Sequence, residues 1–299
     1  ETYVSEVDES DGSIALYSPT IAVLNNVSLD HKSLEELRQL FGDFAAKARI
    51  TIVNVGDAER AALAMALDRG RTTSFAVEGE ADLSARNLQP ASFAIRFDLI
   101  PPDATLPVQL AVPGRHNVAN ALAALGAVAA AGVPLTDAVR AIEGFAGLGR
   151  RFELVGEANG VAVIDDFGHN PDKIGATLDT LHAFPGRVLA LFQPHGFGPL
   201  KVMRRELVAM FIDKLRDDDL LVLPAPVYQG GTVSREVTSA DIVADIAASG
   251  RTARHIADRD AAATHLVAQA RPGDRIVVMG ARDDTLSLLA ADMLTALRR

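Results

Sequence analysis

An α/β fold in two domains is the class this sequence predicts, and three observations predict it. The length, 299 residues, suits about two domains rather than one. Glycines at 144, 147 and 149 break the chain near its middle. Beyond them, apolar runs at 161–166, 187–193, 219–224, 253–257 and 274–280 each precede a helical stretch, at about 172–183, 201–216, 239–249, 259–270 and 284–298. Strand–helix alternation of this kind builds a mostly parallel sheet with helices on both faces, a Rossmann-like arrangement. The expected division is 1–148 and 149–299.

The first part reads as a mixed region. TYVSEV (2–7) and IAVLNNV (21–27) look like buried strands, and Ser33 followed by Glu36 makes a capping box that starts a helix running to about Lys47. ITIVNV (50–55) reads as a strand, and 58–70 as a helix stopped by glycine. The segments 74–79, 91–100 and 107–112 lack a helical period and sit among turn-rich spacers, which predicts a small antiparallel set. Pro113-Gly114 then breaks the chain before an alanine-rich helix from about Asn117 to Ala131, and a second helix runs from about Leu135 to Phe145.

Composition narrows the function. An apolar share of 48% with 23% charged residues is ordinary for a globular chain with sizeable cores. A net charge of −10 argues against binding a nucleic-acid backbone, which demands clustered cations. With no cysteine, disulfides, thiolate metal sites and cysteine nucleophiles are excluded. The apolar stretch Val118–Val133 is interrupted by Asn120 and is shorter than the roughly 20 residues a membrane span needs. Membrane insertion is not expected.

Polar motifs sit where a parallel sheet places its ligands. DDFGHNPD (165–172), QPHGFG (193–198) and GARDD (280–284) all follow apolar runs, and ligands of such sheets gather at the carboxyl ends of the strands. Asp165 and Asp166 end one run together; two carboxylates cannot both turn inward without cost, so one is expected to face the crevice. Glu6 and His31 end neighbouring predicted strands. They suit a hard cation held by one or two protein groups and substrate phosphates, or equally a solvated acidic turn and a surface histidine. Asn117 reads as a helix N-cap, with Asn120 one turn later on the same face. Arg150 and Arg151 follow the glycines, where a guanidinium offers its fork to phosphate; a solvated turn is the plainer reading. Lys47 suits the C-terminal end of its helix.

Taken together, GRHNVANALAA (114–124), GRRFE (149–153), DDFGHNPD and FQPH (192–195), with DESDGS (8–13) and NNVSLDH (25–31) upstream, resemble the Mur ligases. The resemblance implies a C-terminal portion of the family's central ATP-binding domain at 1–148, followed by its Rossmann-like C-terminal domain at 149–299. No Gly-Lys dipeptide occurs, so a Walker phosphate loop is not present in these residues, and by itself the chain is expected to be inactive. The implied cofactors are ATP and Mg²⁺, with Glu6 and His31 as metal contacts. His116, Asn117 and Asn120 would lie on the adenine side, Arg151 on the phosphates and Asp166 on the ribose. His169 and His195, with Arg151, would line the reacting centre.

The implied reaction is the ATP-dependent joining of an amino acid, L-alanine in the subgroup the motifs resemble most, to UDP-N-acetylmuramate through an acyl phosphate. It belongs to peptidoglycan precursor synthesis in the bacterial cytoplasm. Two departures bear on the substrate. His169-Asn170-Pro171 stands where the family has His-His-Pro, and Gly196 stands where an arginine follows the histidine. Asn170, Lys201 and Arg282 are therefore the candidate substrate contacts. DDF rather than DDY and Glu153 lean toward a second reading, a recycling ligase that attaches a murein tripeptide. A third, from another class, is a non-catalytic module that holds a nucleotide sugar or a partner.

Overall fold

The computed structural model describes residues 2–7, 12–26, 34–227 and 235–299. The chain divides into two compact units, Glu1–Phe145 and Ala146–Arg299.

The first unit is built on one six-stranded sheet in sequence order. Its strands are β1 (Ile21–Leu24), β2 (Ile50–Asn54), β3 (Thr72–Val77), β4 (Leu83–Ala91), β5 (Ala94–Ile100) and β6 (Leu106–Leu110). β1 to β4 pair in parallel, and β4 to β6 antiparallel. The expected antiparallel set is thus the far side of the same sheet. Helices α1 (Leu34–Lys47) and α2 (Ala58–Met65) cover one face, and α3 (Arg115–Ala130) and α4 (Leu135–Ile142) the other. β2 shows why: Ile52 and Val53 are both buried but belong to different cores, since successive side chains point to opposite faces. α3 lies close to β2 because Gly126 has no side chain; a Cβ there would stand 2.8 Å from Ile52 Cγ2.

Three expectations here are corrected. Residues 2–7 form no strand, and Tyr3 and Val4 are exposed, because no neighbouring strand among the described residues takes up their backbone groups. β4 went unpredicted. Its second half is exposed and polar, it is interrupted by a register shift between Arg86 and Gln89, and Asn87 is left-handed at φ 52°, so no alternation marks it. Asn117 is not an N-cap: the helix begins at Arg115 after Gly114, whose φ of 99° suits glycine. The predicted Ser33 cap lies outside the described residues.

The second unit carries a six-stranded sheet: β7 (Glu153–Ala158), β8 (Val161–Asp166), β9 (Val188–Gln193), β10 (Leu220–Leu223), β11 (Ala253–His255) and β12 (Arg275–Gly280). The spatial order is β11-β10-β9-β12-β8-β7, parallel except for the edge hairpin of β7 with β8. β8, β9, β10 and β12 are buried at every residue, as a sheet covered on both faces requires. The helices are α5 (Pro171–His182), α6 (Phe197–Val202), α7 (Arg204–Lys214), α8 (Ser239–Ala248), α9 (Arg259–Gln269) and α10 (Thr285–Leu297). The predicted helix at 201–216 is two helices, broken at Met203. α5 packs on α7 and α7 on α8, whereas α9 and α10 form the other layer. The chain therefore leaves the adjacent strands β8 and β12 toward opposite faces. Adjacent strands that diverge in this way open a crevice at their carboxyl ends.

Candidate active site

In the second unit the carboxyl ends of β8, β9 and β12 carry the predicted motifs. His169 follows β8, and its Nδ1 lies 2.9 Å from the Phe167 carbonyl, which makes that nitrogen the protonated one. Its ring meets that of His195, which follows β9, edge-on at 5.4 Å between centroids. Burial, then the neighbouring His169 and the Arg282 charge, push His195 down from 6.5 to about 4, so it is a neutral imidazole at physiological pH. Arg282, from the loop after β12, is exposed and left-handed at φ 59°. Its field reaches His195. His169, His195 and Arg282 thus form one cluster, made by three strand ends far apart in sequence.

Asp165 and Asp166 correct the expectation that one of them faces the crevice: both are buried. Each has internal partners that offset the desolvation. Asp165 accepts from Ser287 Oγ at 2.5 Å and faces the Arg150 guanidinium at 3.5 Å. Burial still holds its carboxyl above the ordinary value, against those two partners. Asp166 accepts from the Phe152 N–H at 2.8 Å, the Gly168 N–H at 2.7 Å and Thr177 Oγ1 at 3.0 Å. A carboxylate has about four lone-pair sites, so one is left uncommitted. Position 168 must be glycine, because a Cβ would come within 2.7 Å of Asp166 Oδ1.

These carboxylates also shape the segment before β7. Arg150 and Phe152 are left-handed at φ 58° and 51°, which costs non-glycine residues energy unless neighbours hold them. They are held. Arg150 N–H donates to Glu153 at 2.8 Å, the Phe167 N–H donates to the Arg150 carbonyl at 2.7 Å, and Phe152 is fixed by Asp166. Arg150 also donates to the Gly280 carbonyl at 2.9 Å. The result is that Arg151 stands exposed with its guanidinium 4.8 Å from the centre of the Phe167 ring and with no hydrogen bond or ion pair to it among the described residues. An open fork stacked over an aromatic ring suits a phosphate.

Sequence reasoning missed Arg150, Ser287 and Phe167 as the parts that place Arg151. Only the doubled arginine before Phe152 hinted at them. Of the candidate substrate contacts, Asn170 caps α5, accepting from the Lys173 N–H at 2.9 Å. Lys201 pairs with Glu236 at 2.7 Å. Arg282 alone of the three joins the histidine cluster.

The first unit gathers its polar residues at the carboxyl ends of β1 and β2, beside the start of α3. Asn117 donates through Nδ2 to the Pro113 carbonyl at 2.7 Å, and Asn120 Nδ2 lies 3.4 Å from Asn117 Oδ1. Asn25, following β1, donates to Asn120 Oδ1 at 2.6 Å. Asn54, ending β2, donates to the Asn25 carbonyl at 3.1 Å, and its own Oδ1 receives the Gly56 N–H at 2.9 Å. His116 is exposed on the same turn. Glu6 is exposed, and His31 lies outside the described residues. No group of three His, Cys, Asp or Glu side chains converges among the described residues. A lone exposed carboxylate fits Mg²⁺, which keeps several waters and takes one or two protein groups. Lys47 donates to the Ala15 carbonyl at 2.6 Å. Two cavities, of about 640 Å³ beside Arg38, Leu63 and Arg71 and about 510 Å³ beside His182, Arg216 and Arg251, contain none of the predicted residues. No helix among the described residues is long and apolar enough to cross a membrane.

Comparison with known proteins finds two successive domain matches along the chain. Residues 1–128 match the Mur ligase middle domain, and residues 150–282 match the Mur ligase glutamate ligase domain. The UDP-N-acetylmuramate–L-alanine ligase of Geobacter sp. (strain M21) is 35% identical over 294 residues, covering 93% of this chain and 62% of the relative. The chain therefore spans about three fifths of the length of the curated relatives it matches. Among solved structures, the UDP-N-acetylmuramate-alanine ligase of Thermotoga maritima superposes with a TM-score of 0.71 at 21% identity, over 94% of this chain and 60% of that one. The MurF ligase of Thermotoga maritima, solved in complex with ADP, has a TM-score of 0.65 at 16% identity, over 96% and 64%. Both share the fold. Two successive Mur ligase domains, matched along most of its length, make this chain a member of the Mur ligase family.

Proposed function

We propose that the chain is a part, carrying half of the ATP site, of an ATP-dependent amide ligase that joins L-alanine to UDP-N-acetylmuramate in the bacterial cytoplasm. In this reading residues 1–148 are the C-terminal part of the central domain and 149–299 the amino-acid-binding domain. The observation that carries it is the cluster of His169, His195 and Arg282 at three strand ends, in a chain 35% identical to an L-alanine ligase.

ATP supplies the phosphoryl group that activates the lactyl carboxylate as an acyl phosphate. The residues here then have separate tasks. Asn117, Asn120 and His116 hold the adenine, and the spare lone pair of Asp166 takes a ribose hydroxyl. Arg151 faces the phosphates, where negative charge builds in both half-reactions. Glu6 and His31 hold Mg²⁺. Arg282 meets the carboxylate of the incoming amino acid, the role left open by Gly196. His195, kept neutral by burial first and by its neighbours His169 and Arg282 second, accepts a hydrogen bond from the attacking amine. The amine nitrogen bonds to the acyl carbon, the bond to the phosphate oxygen breaks, and phosphate leaves with the electron pair and takes up the proton that the nitrogen loses.

Phosphate release by the protein at its full natural length, with UDP-N-acetylmuramate and either L-alanine or the murein tripeptide, tests this. Release with L-alanine and not with tripeptide is expected. Release only with tripeptide would establish the recycling reaction instead. Nucleotide-sugar binding without any release would sink the ligase reading.

A further inference from the structure

The amides of the first unit form a relay whose direction is fixed by backbone groups at both ends. At one end Asn117 faces the Pro113 carbonyl at 2.7 Å. A carbonyl only accepts, so Asn117 must present Nδ2 there and Oδ1 toward Asn120. Asn120 must then turn Nδ2 to Asn117 and Oδ1 to Asn25, which must donate. At the other end Asn54 receives the Gly56 N–H on Oδ1 at 2.9 Å. A backbone N–H only donates, so Asn54 presents Nδ2 to Asn25, whose carbonyl and Oδ1 lie at 3.1 and 3.5 Å. Both anchors impose the same sense, and no amide in the row can flip without setting like against like.

From this we propose that Asn25 and Asn54 are specificity-determining positioning residues: through the relay they lock Asn120 with its acceptor on the Asn25 side and its donor on the Asn117 side. Asn120 is exposed, so the remaining lone pair and N–H of its amide are open to a ligand. An acceptor beside a donor matches an exocyclic amine next to a ring nitrogen, the pairing by which an asparagine amide reads adenine. It rejects a 6-oxo purine, whose carbonyl would face Asn120 Oδ1. The amine of the base therefore lies toward Asn25. The inference rests on the nucleotide reading of Asn117 and Asn120 given above.

Direct calorimetric titration of the full-length protein with ATP and with ITP, its 6-oxo counterpart, reads the relay without turnover. Asn25→Ala removes one link but leaves Asn120 polarised from Pro113. It should weaken ATP by about threefold and keep the ATP-over-ITP preference. Asn25→Asp is isosteric but accepts only, so it drives Asn120 to turn its donor to the side of residue 25, where the amine of the base would lie. The preference should fall about tenfold, the worth of one misdirected hydrogen bond. Because ATP and ITP carry the same triphosphate, the ratio cancels the added charge.

Equal preference in the Ala and Asp variants would overturn the relay. Asn117→Ala separates the two claims. If it leaves ATP binding unchanged, the nucleotide reading itself fails; if it weakens ATP while Asn25→Asp leaves the preference intact, only the relay fails. A thermal melt of Asn25→Asp within about 2 °C of the parent, as expected at a surface position, excludes misfolding as the cause.

Discussion

The two units solve one problem, fixing ligand-facing groups at the carboxyl edge of a parallel sheet, with opposite chemistry. In the first, the presented groups are neutral amides held by other neutral amides, in a row from buried Asn54 through half-buried Asn25 to exposed Asn120. In the second, the presented groups are Arg151, Arg282 and two imidazoles, and buried carboxylates organise the loops that carry them. Asp165 ties Arg150 to Ser287, and Asp166 fixes Phe152 and Gly168. Under the proposed function the difference follows from what each unit would recognise. A base edge is read by direction, which a row of hydrogen bonds supplies, whereas phosphate and carboxylate are read by charge.

If that contrast is correct, damage should be global in the second unit and local in the first. The largest effect belongs to Arg150→Met, which leaves Asp165 buried with Ser287 as its remaining side-chain partner. Urea unfolding of this chain should show a loss of about 3–5 kcal/mol. Adding Asp165→Asn to it should recover part of the loss; no recovery would mean that the pair is not the organising contact. Arg151→Ala comes next, on activity rather than stability. Turnover in the full-length protein should fall about 100-fold, or about 2.7 kcal/mol, while the unfolding free energy stays within about 0.5 kcal/mol.

Asp166→Asn turns an amide NH₂ against one of two backbone N–H groups. About 2 kcal/mol of stability should be lost, and the KM for ATP should rise more than kcat falls. A variant of normal stability with normal ATP kinetics would remove Asp166 from both roles. Arg282→Ala should raise the KM for the amino acid about tenfold, as loss of one charge-assisted bond does, and spare that for ATP.

The smallest effect is a titration. His195 sits at about 4 in the folded protein against 6.5 ordinarily, so between those values the unfolded chain binds more protons than the folded one. Its contribution to stability is complete above pH 6.5 and is lost as pH falls toward 4. The His195 ring resonances should therefore stay constant above pH 6 by NMR, and Arg282→Ala should move the titration upward. A midpoint near 6.5 in the parent protein would show that His195 is neither buried nor coupled to its neighbours.

Much of the second unit was legible because its sheet is covered on both faces. Uninterrupted apolar runs such as 188–193 and 275–280 mark such strands directly, and the polar residues that follow them mark the crevice. β7 escaped because an edge strand with a register shift between Leu154 and Gly156 carries no such run. In the first unit β4 lies inside its sheet but was hidden by its own register shift and exposed polar half, and residues 2–7 were overread because apolar composition says nothing about whether a neighbour is present. Apart from Glu6, the motif residues that the structure describes lie at strand ends and at one helix start, where the motifs had put them. Their supports were not legible, since Arg150, Ser287 and Asn25 are ordinary polar residues until the fold brings them to their partners.

The sequence by itself determined the α/β class, the glycine-rich break at 144–149, the polar loops at the strand ends and the family, because periodicity and local motif are properties of neighbouring residues. Only the tertiary structure decided that both Asp165 and Asp166 turn inward, that His169, His195 and Arg282 share one cluster, and that a row of asparagines has a direction. Each of these depends on residues brought together from 11 to 122 positions away along the chain. Burial, charge coupling and hydrogen-bond sense exist only once those distances are closed.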